Sequence, residues 1–330
     1  MMKKMRQFLG LAAALLAGVL TSSPSLSADA DSWPNRPVRV VIPYAPGNTG
    51  DITFRLIQNQ LEAKFGVRFL IDNKSGASGN IGAEDVVRSA ADGYTLLLGA
   101  TNNYVTNSSL IKGMRFDPVK DLAPISMISN APSVVVVNAN LPVNTLTELT
   151  ALAKKDAGKL AFASPGNGTP PHLAAELYKQ LTGVELIHVP YRGSAPAVQG
   201  LLGGDTQIYM TALSSVAGNI TAGKLKALAV AGPQRLAVLP HVPTSAQQGI
   251  PELITGNWWG LSAPLGTDSK IIQKLAEAIQ VILNDPSVKQ KYFELGVSPV
   301  GSSPSEFAKQ IAQEAMVWKK VIARSGLQPE

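Results

Sequence analysis

Short apolar runs and segments of helical periodicity alternate along almost the whole chain, and this alternation constrains the fold more than any other feature. The run Val38–Ile42 is rich in β-branched residues, and apolar residues at helical spacing follow from about Asp51. Four consecutive valines lie in Pro132–Asn138, whereas Lys270–Leu283 and Pro304–Ala323 have the pattern of long amphipathic helices. Strands separated by helices of this length predict an α/β fold, with mainly parallel sheets flanked by helices.

The other predicted elements continue the same alternation. Further strands are predicted at Val67–Ile71, Tyr94–Ala100, Leu160–Ala163, Leu186–Val189, Gln207–Met210 and Leu225–Val230. Further helices are predicted at Asn80–Ala90, Leu146–Lys155, Pro171–Leu181 and Ala195–Leu202. No repeat or low-complexity linker divides the chain, so two lobes would have to be joined by more than one chain crossing, as in a hinged cleft.

The turn between the first predicted strand and helix has the composition of an anion-binding loop. Residues 43–50 include two prolines and two glycines and lead directly into the helix start. Unpaired backbone N–H groups and the positive end of the helix dipole meet at such a start. Every α/β protein has turns of this kind, so the pattern leaves open either an anion site or a turn that binds nothing.

The first 30 residues have the three-part layout of a secretory signal peptide. Three basic residues lie within Met1–Arg6, an apolar run covers Phe8–Leu20, and small polar residues follow up to Ala30. The small-x-small pattern at Ala28–Ala30 predicts removal near Ala30, with Asp29 as a rival start of the mature chain. The apolar run of about 13 residues is shorter than the roughly 20 that a transmembrane helix needs. We therefore predict an exported, soluble protein.

The composition excludes several classes of function. The net charge of +6 falls to +4 without residues 1–30, and the chain contains no cysteine. Disulfides, thiol catalysis and thiolate metal sites are therefore excluded. A mildly basic chain without runs of Lys or Arg does not have the pattern of a nucleic-acid-binding protein. About 300 mature residues are enough for two domains.

The chain has no motif of a familiar enzyme class. Gly76–Asn80 and Arg192–Pro196 come nearest to the G-x-S-x-G elbow of serine hydrolases, and neither completes it. The dinucleotide fingerprint, the P-loop and H-E-x-x-H are all missing, and the three histidines are too far apart in sequence for a metal motif. Paired carboxylates cannot be recognised from sequence, so an exported hydrolase remains an alternative. We predict a protein without cofactor or metal that is not an enzyme.

Seven segments in family order resemble the Bug family, the substrate-binding proteins of tripartite tricarboxylate transporters. They are RPVRVVIPYAPGNTGDITFR, DNKSGASGNIGAEDVVRSAADGYTLLLG, FASPGNGTPPHLAAEL, HVPYRGSAPAVQGLLGGDTQI, AGKLKALAV, RLAVLPHVPTSAQQGIPEL and WWGLSAPLGT. The resemblance covers the chain from about Trp33 to the C-terminus. It implies a periplasmic protein with a type II periplasmic-binding-protein-like fold, in which two α/β lobes close on a ligand.

The resemblance also implies the division of the chain and its partners. One lobe would comprise residues 31–131 plus 252–330 and the other residues 132–251, with crossings near Asn130–Pro132 and Gly249–Glu252. The implied ligand is a small organic carboxylate with one or two carboxyl groups, aromatic carboxylates included. A monomeric receptor would deliver it to the permease subunits in the membrane. Docking on a membrane sensor kinase is the alternative, because both roles depend on the same closed state.

Two family loops map onto Tyr44–Asp51 and Ser164–His172, one in each lobe. A carboxylate between them could accept hydrogen bonds from backbone N–H groups and from hydroxyl groups on both sides. Threonines at two further strand ends could also face the cleft. The predicted ligand-binding residues are Tyr44, Pro46, Gly47, Asn48, Thr49, Asp51, Thr101, Ser164, Gly166, Gly168, Thr169, His172 and Thr211.

Several of these residues have two possible roles. Asn48 stands where relatives usually have glycine, and its amide could reach the ligand or narrow the pocket, on a backbone that could be left-handed. Asp51 could cap the helix start or contact the ligand, and His172 could support its loop or bind the anion. Trp258 and Trp259 could pack in the core or stack on an aromatic ligand.

Overall fold

The structure, a computed structural model, describes residues 32–325 and residue 329. The predicted signal peptide, residues 1–30, lies outside the described residues.

The first elements are β1 (Val38–Ile42), α1 (Thr49–Phe65), β2 (Phe69–Asn73), α2 (Asn80–Val87), β3 (Thr95–Ala100), α3 (Thr101–Tyr104), α4 (Asn107–Leu110), α5 (Pro118–Asp121) and β4 (Leu122–Asn138). The middle elements are α6 (Leu146–Lys155), β5 (Ala161–Ser164), α7 (Pro170–Thr182), β6 (Ile187–Pro190), α8 (Ser194–Gly203), β7 (Ile208–Ala212), α9 (Ala217–Thr221) and β8 (Leu225–Ala231). The last are β9 (Gly256–Pro264), α10 (Ser269–Asn284), α11 (Pro286–Glu294), β10 (Ser298–Pro299) and α12 (Pro304–Ser325).

The strands form one mixed sheet in the order β2-β1-β3-β9-β4-β7-β5-β6, with β8 and β10 also paired to β4. The pairs of β1 with β2 and β3, and of β5 with β6 and β7, are parallel, as predicted. The centre of the sheet differs from the expectation of mainly parallel strands. There β4 pairs antiparallel with β7, β8, β9 and β10, and β3 pairs antiparallel with β9. The reason is that β4 runs in the opposite direction to its neighbours in both halves, and that β9, which returns along β4, also runs opposite to β3.

Strand β4 passes through both parts of the molecule without a break. Residues 122–132 pair with β9, and residues 133–138 pair with β7 and β8. We call the part with β1, β2, β3, β9 and β10 the first half, and the part with β5, β6, β7 and β8 the second half. This change of pairing partner falls at the predicted crossing Asn130–Pro132. The return crossing leads into β9, where Gly256 pairs with Pro132. The exact bounds of the two lobes remain a prediction.

Each half has its own hydrophobic core, and β4 contributes to both faces of the second. Val135 and Val137 pack on one face of the sheet, and Val134 and Val136 pack on the other. All four side chains are fully buried, as expected for a strand that is covered on both faces. In the first half, α1 and α10 cover the sheet with their apolar faces. None of the described helices combines the length and the apolarity needed to cross a membrane.

Candidate functional site

The first loop, residues 44–51, is held by the side chain of Asn48. Its Oδ1 accepts a hydrogen bond from the backbone N of Asp51 at 3.0 Å and thereby caps α1. Its Nδ2 donates to the carbonyl O of Ala45 at 2.8 Å. The backbone of Asn48 is extended, with φ −78° and ψ 165°, so the left-handed conformation considered for this residue is not needed. Both ends of the amide are used within the loop, although the residue also faces the cavity described below.

Asp51 stabilises the same loop from the first turn of α1. Its carboxylate accepts a hydrogen bond from the backbone N of Gly47 at 3.0 Å and pairs with Arg55 at 3.0 Å. Gly47 has a φ of +82°, a conformation that glycine adopts without steric cost. Pro46 and Gly47 are exposed to solvent. Asp51 itself is buried, so these three predicted residues shape the loop from both its inner and its outer side.

Tyr44 and Trp259 form the aromatic floor under the first loop. Their rings meet edge to face, with centroids 5.5 Å apart. The hydroxyl of Tyr44 donates to Oδ1 of Asn102 at 2.7 Å, and burial raises the pKa of Tyr44 well above its usual value. A Cβ atom at Gly50 would lie 2.2 Å from the indole of Trp259. Glycine at this position lets the helix start approach the indole closely.

The start of α1 offers backbone donors to the cleft. Thr49 and Gly50 are its first two residues, and N–H groups at these positions have no partner within a helix. The capping side chain of Asn48 accepts only from Asp51. Oγ1 of Thr49 lies 2.9 Å from Oγ of Ser214, which belongs to the second half.

The second loop, residues 164–172, uses most of its polar groups internally. Thr169 donates its hydroxyl hydrogen to the carbonyl O of Gly166 at 2.6 Å. Ser164 Oγ accepts from the backbone N of Gly166 at 3.1 Å, and the backbone N of Gly168 donates to Nδ1 of His172 at 2.9 Å. The prediction that a carboxylate could accept hydrogen bonds from the N–H and hydroxyl groups of both loops therefore fits the first loop better than the second.

Three prolines explain this difference between the loops. Pro170 and Pro171 are the first two residues of α7, at the positions where α1 carries N–H groups. Proline has no N–H, so the start of α7 presents apolar ring surface to the cavity. Pro165 adds a third apolar wall on the same side.

His172 and His188 support the second loop as a stacked pair. Their ring centroids are 3.9 Å apart, with an angle of 6° between the planes. Nε2 of His188 lies 2.6 Å from Oγ of Ser164. Burial, together with the like charge that His188 would carry, lowers the pKa of His172 to about 3. Burial also lowers the pKa of His188 to about 4. Both rings are therefore neutral at neutral pH, which agrees with supporting roles.

Strand ends bring further polar groups to the site, and sequence reasoning found only some of them. Thr211 lies at the end of β7, as predicted, whereas Ser133, Ser194 and Asn257 were not predicted. Ser194 begins α8 after β6, so the rule that led to the first two loops could have found it. Thr101 contacts Oδ1 of Asn257 through Oγ1 at 3.2 Å and does not line the cavity.

Together these elements line a narrow cavity between the two halves. Its lining residues are Tyr44, Asn48, Thr49, Ala100, Asn102, Ser133, Pro165, Thr169, Pro170, Pro171, Ser194, Thr211, Ala212, Asn257 and Trp259. The predicted residues that lie outside this lining are Pro46, Gly47, Asp51, Thr101, Ser164, Gly166, Gly168 and His172. All of them except Thr101, which bonds to β9, belong to the two loops, and the assignment of ligand contacts remains a prediction. Among the described lining residues there is no lysine, arginine or histidine.

The two halves touch each other around this cavity. Thr106 Oγ1 of the first half donates to the carbonyl O of Gly168 at 2.9 Å. A Cβ atom at Gly166 would lie 2.8 Å from Oγ of Ser78, so the second loop also lies against the first half. With the contact between Thr49 and Ser214, these approaches describe a closed cleft. In the described part of the chain, no group of three or more His, Asp or Glu side chains is arranged to hold a metal ion.

Comparisons with known proteins agree with this architecture over nearly the whole chain. The model of the tripartite tricarboxylate transporter family receptor matches residues 53–327. Protein BugT of Bordetella pertussis is 34% identical over 309 residues, which cover 93% of this chain and 95% of BugT. A solved R. palustris protein with adipate is 35% identical, with a TM-score of 0.88 over 90% of this chain and 100% of that one. MatC from Rhodopseudomonas palustris with bound malate is 29% identical, with a TM-score of 0.83 over 88% of this chain and 100% of MatC.

These matches decide the questions of fold and class that the sequence raised. The predicted α/β fold of the periplasmic binding protein type is confirmed by the solved relatives. The prediction that the protein is not an enzyme is confirmed by the family, whose members are receptors. The chain therefore belongs to the tripartite tricarboxylate transporter receptor family, the Bug-type periplasmic solute-binding proteins.

Proposed function

We propose that this protein captures a small organic carboxylate between its two halves and delivers it to the membrane permease of a tripartite tricarboxylate transporter. The observation that carries the proposal is the cavity. Turns at helix starts from both halves close around it, and hydroxyl and amide groups line it without a basic side chain among the described lining residues. Such a site suits an anion that is bound by hydrogen bonds and helix dipoles.

The donors lie on opposite sides of the cavity. The N–H groups of Thr49 and Gly50 and the positive end of α1 belong to the first half. The hydroxyl groups of Ser133, Ser194 and Thr211 belong to the second half. A hydrogen bond to a charged group contributes about 1.5–3 kcal/mol net, and micromolar affinity needs about 8 kcal/mol. Four or five such contacts would therefore be sufficient without an arginine.

The apolar walls set the second requirement for the ligand. Tyr44, Trp259 and the three prolines surround the polar groups, so the body of the ligand should be a short hydrocarbon chain or a flat ring. Relatives that bind adipate and malate support carboxylates of this size. We propose a mono- or dicarboxylate, with aromatic carboxylates included.

Export and delivery complete the proposal. Residues 1–30 have the composition of a signal peptide, so we place the mature receptor in the periplasm, after cleavage near Ala30. It would act there as a monomer that closes around the ligand. The permease would recognise the closed form, because only this form brings the two halves into contact around the cavity.

Ligand-dependent thermal stabilisation of the purified mature protein tests the proposal. We expect at least one member of a panel that includes succinate, malate, adipate, benzoate and nicotinate to raise the melting temperature, because ligands that bind only the folded state stabilise it. Calorimetry would then compare Thr49→Val and Thr211→Val with wild type. Each should weaken binding by about tenfold, since each removes one hydroxyl from the cavity.

Thr221→Val is the matched control, because Thr221 is exposed on α9 and does not line the cavity. It should bind the ligand like wild type. If no carboxylate stabilises the protein, capture of a carboxylate is wrong. If carboxylates bind but neither cavity variant affects their affinity, the ligand lies elsewhere.

A further inference from the structure

The residues of β9 alternate between two cavities on opposite faces of the sheet. Asn257 and Trp259 line the ligand cavity, whereas Gly256 and Trp258 line a second cavity of about 560 Å³. Successive side chains of a strand point to opposite faces, so the two cavities lie on either side of the strand. We call the second cavity the rear crevice.

Strand β4 shows the same alternation beside β9. Ser133 lines the ligand cavity, and its neighbour Pro132 lines the rear crevice together with Asn130. Pro132 pairs with Gly256, and Ala131 pairs with Asn257. At these pairs, β4 changes from the first half to the second. The strands that join the halves therefore separate the ligand cavity from the rear crevice.

The walls of the rear crevice belong to different halves. Gln234 and Leu236 follow β8 in the second half, whereas Ser298 and Trp318 belong to the first half. Among the described residues, no recorded hydrogen bond or ion pair joins the 232–236 loop to residues 298, 314 or 318. Arg235, for example, donates to Gln247 and to the carbonyl O of Pro240, both in the second half. Leu236 of this loop meets Gly296 of the first half by van der Waals contact, because a Cβ atom at Gly296 would lie 3.2 Å from its Cδ1. Such a contact can shift when the crevice changes its width.

We propose that the rear crevice is a conformational control of the ligand cleft. Because the joining strands lie between the two cavities, a rotation that opens the cleft in front brings the rear walls together. The crevice is wide in this structure, in which the cleft is closed. A large side chain on a wall of the crevice would resist this narrowing. It would therefore disfavour the open form and raise the population of the closed form.

The test places an indole on each wall of the crevice in turn. Gln234→Trp alters the second-half wall and Ser298→Trp alters the first-half wall, and both side chains are exposed. We expect each variant to bind adipate or malate about fivefold more tightly than wild type or better, mainly through slower release. The matched control is Gln290→Trp, an exposed position on α11 outside both cavities, and it should leave the affinity unchanged.

Small-angle X-ray scattering without ligand gives a second readout that does not depend on the proposed function. Each crevice variant should have a smaller radius of gyration than ligand-free wild type, because its closed form is more populated. If no carboxylate of the panel binds wild type, only the proposed ligand class fails, and the scattering still decides about the crevice. Equal radii of gyration for wild type and both variants, or weaker ligand binding by correctly folded variants, would overturn the proposal.

Discussion

Replacing Asn48 separates its role in the loop from its position beside the ligand. In Asn48→Ala, α1 loses its capping side chain, which costs about 1 kcal/mol. The hydrogen bond from Nδ2 to Ala45 is lost as well, at about another 1 kcal/mol. We therefore expect the free energy of unfolding to fall by about 2 kcal/mol. Urea denaturation followed by circular dichroism would measure this change.

Asn48→Asp changes the charge and keeps an oxygen that can cap α1. Aspartate is about as good a capping residue as asparagine, so the loss of stability should be smaller than in Asn48→Ala. The carboxylate would, however, face the cavity, which Asn48 lines. Two unit charges about 6 Å apart, at an effective dielectric constant of about 20, repel each other by about 3 kcal/mol. Affinity for a carboxylate should therefore fall by about a hundredfold.

The order of the two variants in the two assays is the decisive result. Asn48→Ala should be the less stable protein, and Asn48→Asp should be the weaker binder in calorimetry. If Asn48→Asp binds the carboxylate as tightly as wild type, no ligand charge lies near the first loop. If Asn48→Ala is as stable as wild type, the capping bond does not hold the turn.

Two further predictions concern the histidine pair and the helix start. The pKa values of His172 and His188, about 3 and 4, lie below the usual 6.5. The unfolded chain therefore binds more protons than the folded protein, and the free energy of unfolding should fall by several kcal/mol as the pH drops from 7 to 4. The double variant His172→Phe, His188→Phe should show a smaller change with pH in urea denaturation. Gly50→Ala should lose about 1–3 kcal/mol because its Cβ would meet Trp259. Gly203→Ala, with open space, should lose none in the same assay.

Sequence reasoning was most successful where local periodicity decides the structure. The four valines at 134–137 predicted a buried central strand, and each side chain is fully buried in β4. The turn before α1 was found because a β-branched run, a glycine-bearing loop and a helical pattern follow one another directly. Tyr44, Asn48 and Thr49 of this turn line the cavity, because a turn between a strand and a helix start is defined by neighbouring residues alone.

The strands that join the two halves were harder to recognise. Residues 122–131 contain Pro124 and two serines, and β9 contains Gly260, Ser262 and Pro264, so neither has a clear strand pattern. Both are stabilised by pairing with each other, over more than a hundred residues of sequence. Asn257 escaped prediction for the same reason, since it lies on β9. Ser133 lies within the predicted strand, but its pairing with Ala212 of β7, which brings it to the cavity, is not visible in the sequence.

The two prolines at the start of α7 have a consequence for the position of the ligand. Backbone donors at a helix start remain at α1, in the first half, and are missing at the corresponding positions of α7. The start of α8, where Ser194 lines the cavity, offers backbone donors from the second half. A carboxylate in the closed cleft would therefore lie between the helix starts of α1 and α8, whereas α7 adds only apolar proline rings. Ligand binding and closure are then coupled by contacts that exist in the closed form alone, and this differential contact is what allows a ligand to shift a hinge.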